Sequence, residues 1–163
     1  MGITEPVRAA RACQCAAGAY APLVVRTEQV IAGVEPALAA ERGVRWAYLF
    51  GSCARDAAGR DVDIALMPAA GAFPSAVDWG QLIARLEGVV GTKVDLVDLR
   101  AAPLSLLGAI LGDRRRVLVD RERDARHEWE AHAMLRWIDF KPAYERYQRV
   151  RQEAMQERLR GAS

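Results

Sequence analysis

Two aspartates separated by one residue open an apolar segment, Asp61-Val62-Asp63-Ile64-Ala65-Leu66. This alternation predicts a β-strand, whose side chains point to opposite faces with a period of two. Asp61 and Asp63 are therefore expected on one face, and Val62 and Ile64 on the other. Neighbouring carboxylates repel each other unless a cation lies between them, and Mg²⁺ takes hard oxygen ligands from carboxylates and phosphates. The pair predicts a magnesium site.

A second motif precedes this pair. The segment Val44–Phe50 is rich in aromatic residues and predicts a strand, which Gly51-Ser52 breaks with a turn. Such a turn can offer backbone N–H groups and a hydroxyl to a triphosphate. Each motif alone is common in structural roles, since Asp-x-Asp and Gly-Ser both occur often in turns. Their combination, a turn after one strand and a carboxylate pair on the next, points to nucleotide binding.

A third carboxylate, Asp95, lies between Val94 and Leu96 in another predicted strand. A helix is expected from about 77 to 90, with Ser75 as its N-cap and Asp78 three residues later in a capping-box pattern. This helix connects the two aspartate-bearing strands without fixing their relative direction. If the strands are neighbours, Asp95 joins the acidic cluster.

Taken together, these motifs resemble the polymerase-β-type nucleotidyltransferases in their minimal form. The residues that carry the resemblance are Gly51-Ser52, Ala54-Arg55, Asp61-Val62-Asp63 and Val94-Asp95-Leu96. Two later segments, 97–104 and 116–121, resemble more narrowly the MntA antitoxins, which are adenylyltransferases paired with HepT, a HEPN-type ribonuclease toxin. The resemblance spans roughly residues 40 to 145.

The resemblance implies an α+β fold, with a small mixed sheet of about four strands flanked by helices and a C-terminal helical extension. It implies an antitoxin that transfers AMP from ATP to a tyrosine hydroxyl of a HepT-like HEPN toxin and so neutralises it. Two Mg²⁺ ions would assist the in-line displacement. The implied catalytic and metal-binding residues are Asp61, Asp63 and Asp95, and the implied phosphate-binding residues are Gly51, Ser52 and Arg55.

The sequence departs from the family pattern at two places. Asp56 stands where a glycine usually follows the Ala-Arg pair, and the connection from Ser52 to Asp61 is about two residues short, in a region where loops tolerate deletions. These departures keep open the possibility of an antitoxin that only binds its toxin. A small-molecule nucleotidyltransferase is a second rival function. Plain nucleic-acid binding is disfavoured because no basic stripe is interleaved with exposed aromatic residues.

Composition is that of a globular domain. The chain has 163 residues, 52% hydrophobic and 27% charged, with a formal net charge of +2. No apolar run has the length of a membrane span, and the first residues do not resemble a signal peptide, so a cytoplasmic protein with no membrane partner is expected. Cys13, Cys15 and Cys53 have no paired spacing, which favours reduced thiols. A nucleophilic role for Cys53 is the minority hypothesis.

Three regions are expected along the chain: a loose extension over 1–22, a nucleotidyltransferase core over 23–120 and a helical region over 121–163. The core should begin with a helix over 24–42 that Pro36 kinks or divides. A short helix is expected over 103–111 and a last strand over 114–119. The arginines 114–116 are interpreted as a solvated sheet edge, with phosphate or partner binding as the minority hypothesis.

The sequence pattern of the last region predicts a helix over 122–160 that is interrupted at Pro142. Most of its large apolar residues should enter the core, since apolar stripes at helical spacing usually do; these are Trp129, Met134, Leu135, Trp137, Ile138, Phe140, Tyr144, Tyr147 and Val150. Beyond Tyr147 the sequence becomes too polar to be buried by itself. That end is either a frayed tail or an arm that docks on a partner.

Overall fold

The computed structural model describes residues 25–56, 58–112 and 115–161, and the main sheet has four of the strands found there. In chain order the strands are β1 (Val25–Arg26), β2 (Val44–Phe50), β3 (Ala58–Gly59), β4 (Val62–Pro68), β5 (Val94–Asp98) and β6 (Arg116–Asp120). The expected extension over 1–22, with Cys13 and Cys15, lies outside the described residues.

The described part of the chain also contains five helices. They are α1 (Thr27–Ala40), α2 (Gly51–Arg55), α3 (Ala76–Val90), α4 (Leu104–Gly112) and α5 (Arg123–Gly161). The predicted core elements are present within a few residues of their expected bounds. One exception is the segment after Phe50, where the predicted turn and polar connection are the short helix α2 and the two-residue strand β3. Another is the start of the predicted helix over 24–42, where residues 25–26 form strand β1.

The main sheet has the strand order β5-β4-β2-β6. Strands β4 and β5 are parallel, while β2 is antiparallel to both β4 and β6. The predicted mixed four-stranded sheet flanked by helices is confirmed. The parallel pair is possible because α3 lies between β4 and β5 in the sequence and returns the chain to the same end of the sheet.

Each face of the sheet is covered by a different layer. On one face, apolar residues of the strands pack with α1 and α3, including Val34, Leu38, Ile64, Leu82 and Leu86. The other face packs with α4 and the first part of α5, and its buried residues include Trp46, Tyr48, Met67, Ile110 and Ala133. The period of two along β4 places Asp63 on this second face, beyond the part that α4 and α5 cover.

Helix α3 begins as the sequence predicts. Ser75 accepts a hydrogen bond from the backbone N–H of Asp78, and the Asp78 carboxylate accepts one from the backbone N–H of Ser75. The helix ends at Gly91, which has a φ of 71° in the left-handed region that favours glycine. These two caps set where β4 and β5 are joined and so help to place Asp95.

Both internal prolines are tolerated. Helix α1 continues through Pro36 and α5 through Pro142. Of the two alternatives for Pro36 the division is therefore excluded, and the predicted interruption at Pro142 is wrong. Pro36 and Pro142 are exposed, as are Ala32 and Ile138 four residues before them. The carbonyl group that loses its intrahelical donor can therefore bind water, which lowers the cost of the missing hydrogen bond.

The prediction that most apolar residues of the last helix enter the core is wrong. Trp129 and Met134 pack partly against the second face of the sheet, but Tyr147 is 64% exposed and Ile138 is 57% exposed. The remaining exposed members of the predicted set are Leu135, Phe140 and Val150. Helix α5 has 39 residues and continues past the edge of the domain, where nothing described covers its apolar side chains.

The interpretation of arginines 114–116 as a solvated edge is wrong for Arg115. The Arg115 guanidinium lies 2.9 Å from the Glu130 carboxylate and 5.5 Å from the Tyr48 ring, and it donates to the backbone carbonyl of Leu111 at 2.7 Å. Arg116 is exposed as expected, and residue 114 lies outside the described residues. Arg115 faces inward because α5 packs a carboxylate beside it.

Glu130 is the centre of a polar network that attaches α5 to the sheet. It accepts a 2.6 Å hydrogen bond from the hydroxyl of buried Tyr48 and a 2.7 Å hydrogen bond from Arg126, which also binds Asp120 at 2.9 Å. Burial raises the pKa of Glu130, but the hydrogen bonds from Tyr48 and Arg126 outweigh it and hold that pKa below its usual value. Burial and the same carboxylate raise the pKa of Tyr48, which keeps its proton.

In the described ranges, no helix combines the length and apolar character that a membrane crossing requires.

Candidate active site

Two of the three predicted carboxylates lie side by side. In the parallel pair formed by β4 and β5, Asp63 is the register partner of Asp95. On its other side Asp63 pairs with Phe50, the last residue of β2. Asp61 immediately precedes β4, so the observed strand begins one residue later than predicted. The sheet therefore gathers the carboxylates at the end where β2 finishes and β4 and β5 begin.

Gly51 is in close contact with the side chain of Asp63. It has a φ of 71°, and a Cβ built on it would lie 2.9 Å from Cγ of Asp63 and closer still to Oδ2. Any side chain here would strain the backbone and displace the carboxylate. Glycine thus lets the chain turn from β2 into α2 directly over Asp63.

The electrostatics of Asp63 show a shortage of positive charge. Burial raises the pKa of its carboxyl group above the usual value, and the charges of Asp95 and Asp61 raise it further, while Arg55 opposes them. Lys93 lies 3.7 Å from Asp95, but both of these side chains are well exposed and screened by water. A cation between Asp63 and Asp95 would relieve the repulsion.

The carboxylates fit a metal that arrives with its substrate. Among the residues described, no three His, Cys, Asp or Glu side chains already form a complete metal-binding group. Mg²⁺ seldom needs one, because it keeps several waters and binds one or two carboxylates together with substrate phosphates. Asp63 and Asp95, with Asp61 beside them, offer a donor set of that type.

Helix α2 carries the other predicted residues. Ser52, the second residue of this five-residue helix, is half-buried, and Arg55, its last residue, is exposed. Cys53, between them, is fully buried and its carbonyl accepts a hydrogen bond from the Thr27 hydroxyl. Burial and the Asp63 charge raise the pKa of the Cys53 thiol, despite the hydrogen bond with Thr27. A buried thiol held in its neutral form is a poor nucleophile, so Cys53 is structural.

Sequence reasoning missed a basic cavity next to α2. Its volume is about 620 Å³, and its lining includes Arg26, Arg55 and Arg116, together with Glu28 and Asp56. Arg116 is the register partner of Leu49 on β2, which places it at the same end of the sheet as the carboxylates. No local pattern relates Arg26 to Arg116, because only the pairing of β1 with β3 and of β2 with β6 brings them to one cavity.

An acidic strand pair facing a glycine turn, beside a basic cavity, offers side chains that suit a divalent cation and phosphate groups. Consistent with this, residues 34–124 match the family model described as polymerase beta, nucleotidyltransferase. The match covers more than half of the chain. The protein belongs to this nucleotidyltransferase family, as the resemblance of its motifs implied.

Solved structures narrow the likeness within that class. A chain in the tri-AMPylated HEPN toxin–MNT antitoxin complex of Shewanella oneidensis matches with a TM-score of 0.53 and 19% identity, over 82% of this chain and 98% of that one. A toxin–antitoxin structure with AMP-PNP matches with a TM-score of 0.55 and 20% identity, over 79% and 98% of the two chains.

A third similar structure is that of the MntA–HepT toxin–antitoxin. It matches with a TM-score of 0.51 and 20% identity, over 81% of this chain and 98% of the other. No curated protein sequence matches the chain. At these identities the likeness establishes a shared fold, in agreement with the fold that the sequence motifs predicted.

Proposed function

We propose that this protein is an antitoxin that transfers AMP from ATP to a tyrosine hydroxyl of a HEPN-type ribonuclease toxin. The observation that carries the proposal is the in-register pair Asp63 and Asp95 beneath the Gly51 turn. Similar folds occur in complexes described as an AMPylated HEPN toxin with its antitoxin and as a toxin–antitoxin with an ATP analogue, which supports the choice of nucleotide and acceptor.

The reaction is a displacement at the α-phosphorus. The tyrosine oxygen of the toxin forms a bond to this phosphorus, and the bond from it to the oxygen bridging the β-phosphate breaks, so that pyrophosphate leaves. The tyrosine proton passes to the Asp95 carboxylate and then to water. Little covalent chemistry is required of the protein, which must align the groups and neutralise developing negative charge.

Each site residue has a distinct role in this proposal. Asp61 and Asp63 would hold the Mg²⁺ that accompanies the triphosphate, and Asp95 would help to hold a second ion. When bound, the metal neutralises phosphate charge and increases the acidity of the attacking hydroxyl. The Gly51 and Ser52 backbone and the Ser52 hydroxyl contact the β- and γ-phosphates, while Arg55 adds a charge-assisted hydrogen bond.

The basic cavity extends this list. Arg26 and Arg116 line it together with Arg55, whose charge also acts on Asp63. We place the leaving pyrophosphate toward this cavity, because guanidinium groups bind phosphates in a bidentate manner.

The second half of α5 is the proposed docking arm for the toxin. The face that buries Trp129 and Ala133 continues, at spacings of three and four residues, to Phe140, Tyr144 and Tyr147. Phe140 is 41% exposed and Tyr147 is 64% exposed, with Met155 and Leu159 further along the helix. An apolar helix face of this kind suits burial against a partner protein.

Intact-mass spectrometry of the toxin tests the reaction. The toxin is incubated with this protein, ATP and Mg²⁺, in parallel with the Asp95→Asn and Asp98→Asn variants. Both substitutions lie on β5, but Asp98 is at the opposite end of the strand, where it binds Arg100. We expect the mass of one or more AMP groups on the toxin with wild type and with Asp98→Asn, and at least a hundredfold slower addition with Asp95→Asn.

The rival functions give different outcomes. Loss of ribonuclease activity with no added mass would show an antitoxin that acts by binding alone. Neither added mass nor complex formation would overturn the proposal in favour of a small-molecule nucleotidyltransferase. Transfer that continues in Asp95→Asn at the wild-type rate would remove this carboxylate from the mechanism.

A further inference from the structure

A second cavity lies at the opposite end of the same strands. Its volume is about 520 Å³, and it is lined where β4 and β5 end, at the start of α4 and along one side of α5. Arg45, near the start of β2, also lines it, six residues before Gly51. At about 3.3 Å per strand residue, the cavity is therefore about 20 Å from the acidic site. The two sites do not overlap.

Basic side chains line the cavity. Three arginines and a histidine line it, namely Arg45, Arg100, Arg136 and His132, and its lining includes no carboxylate. Arg45 and Arg100 are held in place by Glu122 at 2.5 Å and Asp98 at 2.7 Å, neither of which reaches the lining. Arg136 is exposed and has no carboxylate partner among residues 25–56, 58–112 and 115–161. Because Arg45 and Arg100 are each paired with a carboxylate, the guanidinium of Arg136 is the group that favours an anion here.

The rest of the wall is apolar and partly aromatic. Trp129 contributes an indole that is half-buried, and its ring centroid lies 5.9 Å from that of Trp46 behind it. Leu99, Pro103 and Leu104 complete the apolar side. Because Trp129, His132 and Arg136 are spaced by three and four residues on α5, they share one helix face. A flat ring can thus lie against the indole while its anionic group meets the guanidinium.

We propose that this cavity binds a small anion carried on a flat ring, of the size of a mononucleotide. The volume lies within the usual range of small-molecule sites, roughly 300–1,000 Å³. Apolar walls supply contact area, and a few fixed charges supply orientation, which is the general construction of such sites. The proposal does not depend on the function of the acidic site, because Asp61, Asp63 and Asp95 do not line this cavity. No residue lines both this cavity and the basic cavity next to α2.

Isothermal titration calorimetry with AMP as the probe tests this site. The titration uses the full chain in EDTA, which removes divalent cations and weakens phosphate binding at the acidic site. Arg136→Ala is compared with Arg146→Ala, an exposed arginine on the same helix that does not line the cavity. We expect AMP to bind wild type and Arg146→Ala equally, and Arg136→Ala at least tenfold more weakly, since a hydrogen bond between charged groups is lost.

Two further arms define the ligand class and the location. Adenosine and inorganic phosphate should each bind at least tenfold more weakly than AMP, because each lacks half of the recognised chemistry. Asp63→Asn should leave the AMP affinity unchanged. No heat of binding with AMP, equal affinity in Arg136→Ala, or loss of binding in Asp63→Asn would each overturn the proposal. Thermal unfolding of Arg136→Ala confirms that the variant is folded.

Discussion

The backbone of Gly51 and the carboxylate of Asp63 lie so close together that a side chain at position 51 would not fit between them. A Cβ on Gly51 would lie 2.9 Å from Cγ of Asp63. Because Asp63 is also the register partner of Asp95, a displacement of its carboxylate would alter the whole acidic site. The turn and the carboxylates thus form one geometric unit.

The first prediction concerns this contact. Gly51→Ala should reduce AMP transfer by about 10²-fold, since a displacement of about 1 Å at a reacting group has an effect of that size. The matched control is Gly71→Ala, because Gly71 has a similar φ of 73° but no atom within 4 Å of its ideal Cβ position. Both variants carry backbone strain, so only the first should lose activity in the toxin-modification assay. Equal activities would show that the contact is unimportant.

The second prediction concerns the charge on Asp63. Its pKa is raised, so ionisation of this carboxyl costs folding free energy. Protonated Asp63 contributes to the stability of the fold below the usual pKa of a carboxyl group. This contribution is lost as the pH rises through the raised pKa of Asp63. In metal-free buffer at neutral pH, Asp63→Asn should therefore raise Tm by about 1–3 °C, from a change of less than about 1 kcal/mol.

Magnesium should reverse the order of the Tm values of wild type and Asp63→Asn. Addition of Mg²⁺ with a non-hydrolysable ATP analogue should raise the Tm of wild type and leave that of Asp63→Asn nearly unchanged, since bound ligand stabilises only the state that binds it. Differential scanning fluorimetry measures both effects. A Tm of Asp63→Asn below that of wild type in EDTA would contradict the expected repulsion among the carboxylates.

The third prediction concerns Glu130, which holds α5 to the sheet. Glu130→Gln should lower the free energy of unfolding by about 1.5–3 kcal/mol, because it removes the charge that Arg115 and Arg126 share, while Arg126 keeps Asp120. The control is Glu145→Gln, which breaks an exposed pair with Lys141 on the same helix and should cost less than about 0.5 kcal/mol. Urea denaturation followed by circular dichroism gives both values.

The effect of Glu130 should depend on pH. Its pKa is lowered in the fold, so its stabilising contribution is present above the ordinary carboxyl range and is lost as the pH falls through the lowered pKa. The difference in stability between wild type and Glu130→Gln should therefore narrow in acid. A difference that stays constant down to the lowered pKa would argue against an ionised Glu130.

The fourth prediction concerns the packing of α5 on α4. A Cβ on Gly108 would lie 2.6 Å from Nε1 of Trp137, so Gly108→Ala must displace the indole. We expect a loss of about 1–3 kcal/mol in unfolding free energy, as for other overpacked sites. Gly80→Ala in α3 meets no atom within 4 Å and should instead stabilise the protein by about 0.5–1 kcal/mol. Stabilisation by both substitutions would show that Trp137 moves aside freely.

Much of the acidic site could be predicted from local patterns. Alternation of apolar and acidic residues identified the strand that carries Asp63, and the Ser75–Asp78 capping box identified the start of the helix before Asp95. These signals are local because side-chain periodicity and helix caps depend on residues a few positions apart. The residues that resemble the nucleotidyltransferase family fall in the segment that its model matches.

Tertiary structure decided what the local patterns left open. The parallel register that pairs Asp63 with Asp95 depends on how α3 packs, and the inward direction of Arg115 depends on Glu130, fifteen residues later. The apolar stripe of α5 predicted burial, but the helix extends beyond the edge of the sheet, and the apolar side chains of the extended part stay exposed. The second cavity combines Arg45, Arg100 and Arg136, whose proximity follows only from the packing of β2, β5 and α5. Sequence determined which side chains carry the chemistry, and long-range packing decided which of them meet.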